Sequence, residues 1–341
     1  MDRVEELKSK TIEPLLAHWG LKPLTVKKVR DVYQIQTGEG VFCFKEVPEK
    51  AEKLLFISQV FRHLEAKGFG RLAAFRPTLL GDYYILENGN YYIVTPWLEG
   101  TEPDYHDQQQ IGATAKTLAE FHLASQDFVP QGNAQVKIKI GKWNKKLKSQ
   151  LIELIDFCTR AESSSETGGF DKIMRVHGSW LGQQALSACQ LLGSSPYDQL
   201  VRQYDGKVPI CHGDTAARNF LIDGQQQAWM IDFDSMAVDL PIVDLWRLLR
   251  RTLRKSEWRM EKADNILEQY SQVRLLSKQE FQVLHALLHF PERPWRLAKR
   301  YYAGSIPVEE RVKIQQRVEE YLLLWENKNY FLEQFAEKYV L

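Results

Sequence analysis

The chain has 341 residues, 44% hydrophobic and 26% charged, with a net charge of +1. That is an ordinary globular composition, long enough for one large or two modest cores. The near-neutral balance argues against a nucleic-acid or anionic-membrane surface, and no apolar run approaches the ~20 residues that cross a bilayer.

The first element reads as an amphipathic helix over 2–18, with Val4, Leu7, Ile12, Leu15 and Leu16 on its apolar side. Its start, MDRVEELKSKTIEPLL, is charged and has no apolar signal core, so cytoplasmic synthesis without a signal peptide is expected. Strands follow at 24–29, 32–37 and 41–47, with turns at Arg30-Asp31 and Gly38-Glu39-Gly40. Lys45 lies inside the third strand, in VFCFKEV, either exposed or pointing inward towards a partner that needs its charge. The turn at 28–33 contains no glycine, the residue that a close backbone approach to phosphate normally uses.

A helix over 49–67 places Leu54, Ile57, Phe61 and Leu64 on one face. Its middle, Phe56-Ile57-Ser58-Gln59, holds no acid; Glu49 and Glu52 fall in the first turn, where they suit the helix dipole. Strands at 72–80, 83–87 and 91–94 complete this block, the last two forming a hairpin about Asn88-Gly89-Asn90. Thr95-Pro96-Trp97-Leu98-Glu99-Gly100 then breaks the pattern. From Asp107 onwards the chain is helical, first over 111–123, where His122 reads as a packed histidine.

Helix 142–160 carries Lys142, Lys145, Lys146 and Lys148 near its start, a solvated face or a docking face for an acidic partner. Residues 163–169 read as a flexible loop and 170–203 as one or two helices, with Trp143 and Trp180 assigned to core packing. Cys43, Cys158, Cys189 and Cys211 have no metal-ligand spacing and read as small buried hydrophobes of a reducing compartment.

The stretch ICHGDTAARNFLIDGQQQAWMIDFDSMAVDLPIVDL, residues 210–245, carries the chemistry. Two strand-like runs, 219–222 and 228–231, flank an Asp223-Gly224 turn, and the ribbon so formed gathers Asp214, Asn219 and Asp232 at one end. Mg²⁺ takes carboxylate and amide oxygens together with substrate phosphates, which Asp232 and Asn219 suit. Asp214, five residues before Asn219, suits a base that accepts a hydroxyl proton. Asp234 either supports a second metal position or is aimed away by strand alternation.

Helices are expected at 241–253, 257–272, 277–290, 293–303, 307–325 and 327–338. The stretch Phe290 to Tyr302, FPERPWRLAKRYY, interleaves cations and aromatics. It suits an anionic ligand or a stacked sugar, or a helical lobe locked by Arg–carboxylate pairs, the preferred reading.

His212-Gly213-Asp214, Asn219, the I-D-F-D run to Asp234 and the Asp239, Pro241, Asp244, Leu245 pattern together resemble the aminoglycoside phosphotransferase and choline kinase superfamily. With the glycine-free turn and the P-E-R-x-W-R-x-x-x-R-Y-Y segment at 291–302, the whole chain resembles the CotS family of kinase-like endospore coat proteins. The resemblance implies an α+β, bilobal, protein-kinase-like fold. Residues 1–97 would be a nucleotide-binding lobe with an antiparallel sheet, 98–100 the hinge, and 101–341 a helical catalytic and substrate lobe.

It also implies ATP and Mg²⁺ as cofactors. Lys45 would grip the phosphates, the backbone of the 95–100 hinge, with Thr95 and Trp97, would hydrogen-bond adenine, and Asn219 and Asp232 would hold metal. A kinase puts a mid-helix glutamate against the strand lysine; here Glu52 reaches Lys45 from an unusual position or the pair is missing. Asp244 resembles an aspartate that braces the catalytic loop.

The function expected is phosphoryl transfer to a hydroxyl acceptor with Asp214 as base. The acceptor would be a small hydroxylated molecule, a coat saccharide or a coat protein. The alternative is a catalytically weak or inactive scaffold of the spore coat, among other coat proteins and with no nucleic acid or membrane insertion. A metal-dependent hydrolase on His212, Asp214 and Asp232 ranks last, for want of further ligands.

Overall fold

The computed structural model describes residues 12–165, 168–304 and 306–341. Most of the helix expected over 2–18 lies outside the described residues; 12–16 are helical and run into a 3-10 turn, Ala17–Trp19. The chain divides into two compact units, one of residues up to 138 with 207–238, the other of residues 139–206 with 239–341.

The first unit is built on β1 (Pro23–Val29), β2 (Val32–Thr37), β3 (Gly40–Val47), β4 (Ile85–Glu87) and β5 (Asn90–Pro96). They form an antiparallel sheet in the order β1-β2-β3-β5-β4. Side chains alternate along a strand, so burial of Phe42 and Phe44 puts Cys43 and Lys45 on the opposite face. Val26, Ile35, Phe42, Phe44 and Val94 pack with Leu16, Trp19 and Leu21 into one cluster. Phe44 stacks on Tyr92 at 5.3 Å and meets the Trp19 edge at 6.3 Å.

α1 (Ala51–Ala66) buries Leu54, Ile57, Phe61 and Leu64 as its periodicity predicts. The strand expected at 72–80 does not form; Leu72 makes only an isolated bridge to Met230. Pro77 has no N–H for a ladder. The Thr78 hydroxyl instead accepts from the Leu80 and Asp82 N–H groups, folding the segment into a turn.

α2 (Gln108–Ala124) is capped by Asp107, whose carboxylate accepts from the Gln109 and Gln110 N–H groups. Then come β6 (Lys137–Ile138), β7 (Ile210–Cys211), β8 (Phe220–Ile222), β9 (Ala228–Met230) and β10 (Ala237–Val238). β8 and β9 are the expected ribbon, with Phe220 opposite Met230. Its turn is closed by Asp223, whose Oδ1 accepts from the Gln225 and Gln227 N–H groups. Thr101 exchanges two backbone hydrogen bonds with Ile222, and the approach is so close that a Cβ on Gly100 would lie 2.7 Å from the Ile222 carbonyl oxygen.

The second unit is helical: α3 (Trp143–Ser163), α4 (Gly169–Ser194), α5 (Tyr197–Arg202), α6 (Pro241–Lys255), α7 (Met260–Ser271), α8 (Lys278–His289), α9 (Glu292–Tyr302), α10 (Val308–Leu323) and α11 (Trp325–Phe335). Pro241 opens α6, where its missing N–H costs nothing. α8 begins with a reciprocal capping box between Ser277 and Glu280. The Trp143 indole N–H donates to the buried Asp239 carboxylate, and buried Asp244 pairs with Arg247 at 2.7 Å.

The 291–302 segment is tied by carboxylates, as preferred from sequence: Lys299 and the Trp295 indole to Glu153, Arg300 to Glu310, Arg250 to Glu292. Of the cysteines, Cys211 is buried, but Cys43, Cys158 and Cys189 are only half-buried. No helix among the described residues is long and apolar enough to cross a membrane.

Candidate active site

The candidate site lies in the first unit, where β7, the ribbon and β3 carry its side chains. His212 follows β7 and is fully buried. Its Nδ1 lies 3.4 Å from the Asp214 N–H and its Nε2 3.0 Å from the Ile231 carbonyl oxygen, so Nε2–H donates to that carbonyl. Its ring packs 4.7 Å from Phe233 and 6.1 Å from Phe220. This histidine fastens the loop to the strand after it and is not a metal ligand. Gly213 has φ +85°, and a Cβ there would lie 2.0 Å from the Ser235 carbonyl oxygen.

Asp214 is held by Arg218, 2.7 Å from its Oδ2. The Asn219 side-chain N–H donates to the Asp214 carbonyl at 2.8 Å, which fixes the amide and assigns its other atom as an acceptor oxygen. The Ile231 N–H donates to the Asn219 carbonyl at 3.0 Å, so Asn219 and Asp232 are one residue apart across the ladder. Asp232 is in the left-handed region, φ 61° and ψ 70°, and the next three residues, Phe233–Ser235, form a 3-10 turn.

That turn, not a strand, sets where the two carboxylates point. Asp232 and Asp234 both reach the Lys45 ammonium, at 2.8 and 2.6 Å. Burial works against the Lys45 charge, but Asp234 and Asp232 outweigh it and raise its pKa. Burial raises Asp234 in turn, against the pull of Lys45. Lys53 of α1 donates to the Asp234 carbonyl and pairs with Glu49 at 2.8 Å.

Glu52 does not reach Lys45. Its carbonyl accepts from the Gln135 N–H, and its carboxylate acts on Tyr84 and not on Lys45. The first turn of α1 therefore offers Lys53, not Glu52, to this region. In the 95–100 segment the Trp97 N–H is taken by the Val41 carbonyl at 3.0 Å. The Thr95 hydroxyl hydrogen-bonds the Cys43 thiol, which burial pushes up to about 11, leaving it unreactive at neutral pH.

The structure thus joins Lys45 to Asp232 directly and ties Asp214, Asn219 and Asp232 into one backbone-linked loop. Arg218 and Lys53, which sequence reasoning had not assigned, belong to the same network, as does Asp234, whose direction it had left open. Arg218 had a discoverable mark, its position four residues after Asp214. The donor set is one of hard oxygens, from Asp232, Asp234 and Asn219, which suits Mg²⁺ and not a soft metal.

Residues 21–287 match the model of the phosphotransferase enzyme family. Spore coat protein S of Bacillus subtilis strain 168 is 25% identical over 315 residues, 92% of this chain and 89% of that protein. An aminoglycoside phosphotransferase from Alicyclobacillus acidocaldarius superposes with a TM-score of 0.85, at 21% identity over 95% of this chain and 94% of that one. Amicoumacin kinase, solved in complex with AMP-PNP, Ca²⁺ and Ami, gives 0.61 at 13% identity, over 98% and 96% of the two chains. The expected α+β kinase-like fold is the one observed.

Proposed function

Because the chain belongs to the phosphotransferase enzyme family, we propose that it is an ATP- and Mg²⁺-dependent phosphotransferase acting on a hydroxyl acceptor. One observation carries the reading: the β3 lysine, Lys45, sits 2.8 and 2.6 Å from the two aspartates that follow the ribbon. An ammonium held on two carboxylates marks a place where fixed charges of both signs converge, as phosphate and metal require.

In this reading Asp232 and Asn219 hold Mg²⁺, Asp234 supports them, and Lys45 binds phosphate oxygens. Bound Mg²⁺–ATP supplies the phosphoryl group and neutralises the charge that develops as it moves. Asp214 would take the proton of the acceptor hydroxyl as its oxygen bonds to the γ-phosphorus, and the bond from that phosphorus to the β-phosphate oxygen would break, ADP leaving with the electron pair. Arg218 holds Asp214 in place. His212 and Gly213 set the loop that presents it. Thr95 and Trp97 lie where a kinase hinge meets adenine, with 1–97 as the nucleotide-binding lobe, 98–100 as the hinge and 101–341 as the catalytic and substrate lobe.

Similarity to spore coat protein S supports a place in the spore coat, among other coat proteins, with a small hydroxylated molecule, a coat saccharide or a coat protein as acceptor. A second reading, a coat scaffold with weak or no catalysis, is favoured by Lys45 having the two aspartates as ion-pair partners and no glutamate from α1. Such a lysine is oriented by the groups that must also hold the metal.

Calorimetry with ATP, with and without Mg²⁺, on wild type and Asp232→Ala separates the two. Mg²⁺-dependent binding that the variant loses supports the phosphotransferase. No binding at millimolar ATP removes it in favour of the scaffold, and binding that ignores Mg²⁺ refutes the roles given to Asn219 and Asp232.

A further inference from the structure

The second unit holds a cavity of about 230 Å³ between α3, α6 and the start of α9. That is room for about seven waters. Its lining carries five cations, Lys146, Arg247, Arg250, Arg251 and Arg296, against one carboxylate, Glu292. So many cations at one cavity favour an anion beside them.

Aromatic rings hold two of the cations. Lys146 lies 3.7 Å from the centroid of the Trp143 ring and Arg250 4.9 Å from that of Trp246. The rings are themselves fixed, since the indole N–H groups of Trp143, Trp246 and Trp295 donate to Asp239, the Leu287 carbonyl and Glu153. The aromatic faces are therefore spent on cations and do not offer a platform for a sugar.

Arg247, Arg250 and Arg296 each have a carboxylate within 4 Å. Arg247 pairs with Asp244 at 2.7 Å, and Arg250 with Glu292. Glu292 is shared, lying 3.8 Å from Arg296 as well. Arg250 is deeply buried, and its Nε has no hydrogen-bond partner among the described residues. Burial first, and then the arginines around it, pull Arg250 down to about 10. Burial and Arg247 pull Lys146 down to about 8. Burial leads in both shifts, and neighbouring cations add to it.

We propose that this cavity binds a small phosphate-bearing ligand through its phosphate group. Fork-shaped guanidinium groups match phosphate oxygens, and a compact tetrahedral dianion suits the volume and the excess of positive charge. The ligand is free phosphate or the phosphate monoester of a small molecule. The site stands on its own residues and does not depend on phosphoryl transfer at Asp214.

Calorimetry with inorganic phosphate and, separately, with glucose 6-phosphate, both without ATP, tests it on the full chain. Saturable binding of either is expected, and tighter binding of the monoester identifies a phosphorylated molecule as the ligand. Lys146→Met and Arg296→Gln, both at exposed positions, are each expected to weaken binding about tenfold. Lys146→Arg, which keeps the charge, restores it. No saturable binding at 10 mM of either probe, on the order of the weakest specific association, overturns the proposal. So does equal binding by both charge-removing variants with their melting curves unaltered.

Discussion

At the scale of single residues, position 213 shows how backbone geometry dictates a choice that charge alone would not. The protein-kinase loop has an arginine where this chain has glycine, and the reason is steric. With φ at +85° and the Ser235 carbonyl 2.0 Å from where a Cβ would stand, no side chain fits. Gly213→Ala is expected to destabilise the fold by about 2 kcal/mol and to move Asp214. Gly224→Ala, at a site with nothing within 4 Å, should stay within about 0.5 kcal/mol. Urea unfolding of the two variants checks this, and equal midpoints would refute the steric account. The Asp214, Asn219 and Asp232 set was legible because their spacing is a property of the chain. The direction of Asp234 was not, because a turn sets it and the spacing of the acids does not reveal that turn. β9 ends at Met230, and the turn at Phe233–Ser235 brings Asp232 and Asp234 to the same cation.

At the scale of elements, periodicity carried most of the fold. Long helices with one apolar face, and strands bounded by Asp, Asn and Gly turns, came out within a few residues of their observed ends. The failure at 72–80 was of another kind: the run is apolar enough for a strand, but Pro77 and the Thr78 turn take its hydrogen bonds. α1 matters most for function. A helix that starts at Ala51 has Glu52 in its first turn, and the charge meeting the Asp234 carbonyl is that of Lys53. Lys45→Met should therefore weaken Mg²⁺–ATP binding at least about tenfold. Glu52→Gln should change it less than about twofold. A calorimetric loss in the Glu52 variant equal to that in the Lys45 variant would mean that the helix glutamate does engage the lysine when nucleotide is bound.

At the scale of the whole molecule, a net charge of +1 hides how unevenly charge is buried, and stability against pH exposes it. Lys328 of α11 is 1% exposed, its ammonium donating to the His289 carbonyl at 2.8 Å and the Tyr321 hydroxyl at 3.2 Å. The rings of Trp258 and Tyr321 lie 5.5 and 5.8 Å away. Its hydrogen-bond partners are neutral, and burial, then Arg250, pushes its pKa down to about 7. Burial, then His285 and Lys328, pushes His289 down to about 3. A lysine depressed from its usual 10.5 to about 7 binds fewer protons folded than unfolded between those values. Stability must then rise with pH across that window, and fall again as pH drops back towards 7. His289 continues the trend below its ordinary value of 6.5, costing stability as the pH falls further. Lys328→Met removes the lysine's share and keeps the volume of an unbranched chain. The stability difference between wild type and variant should move by about 3 kcal/mol between pH 7 and 9.5, in favour of wild type at the higher pH. Urea titrations of both proteins at the two pH values measure it, with all other titrating groups cancelling in the difference. A difference that does not move with pH would mean that the folded protein carries the Lys328 proton as readily as the unfolded chain, and the neutral core around it would then have to be solvated.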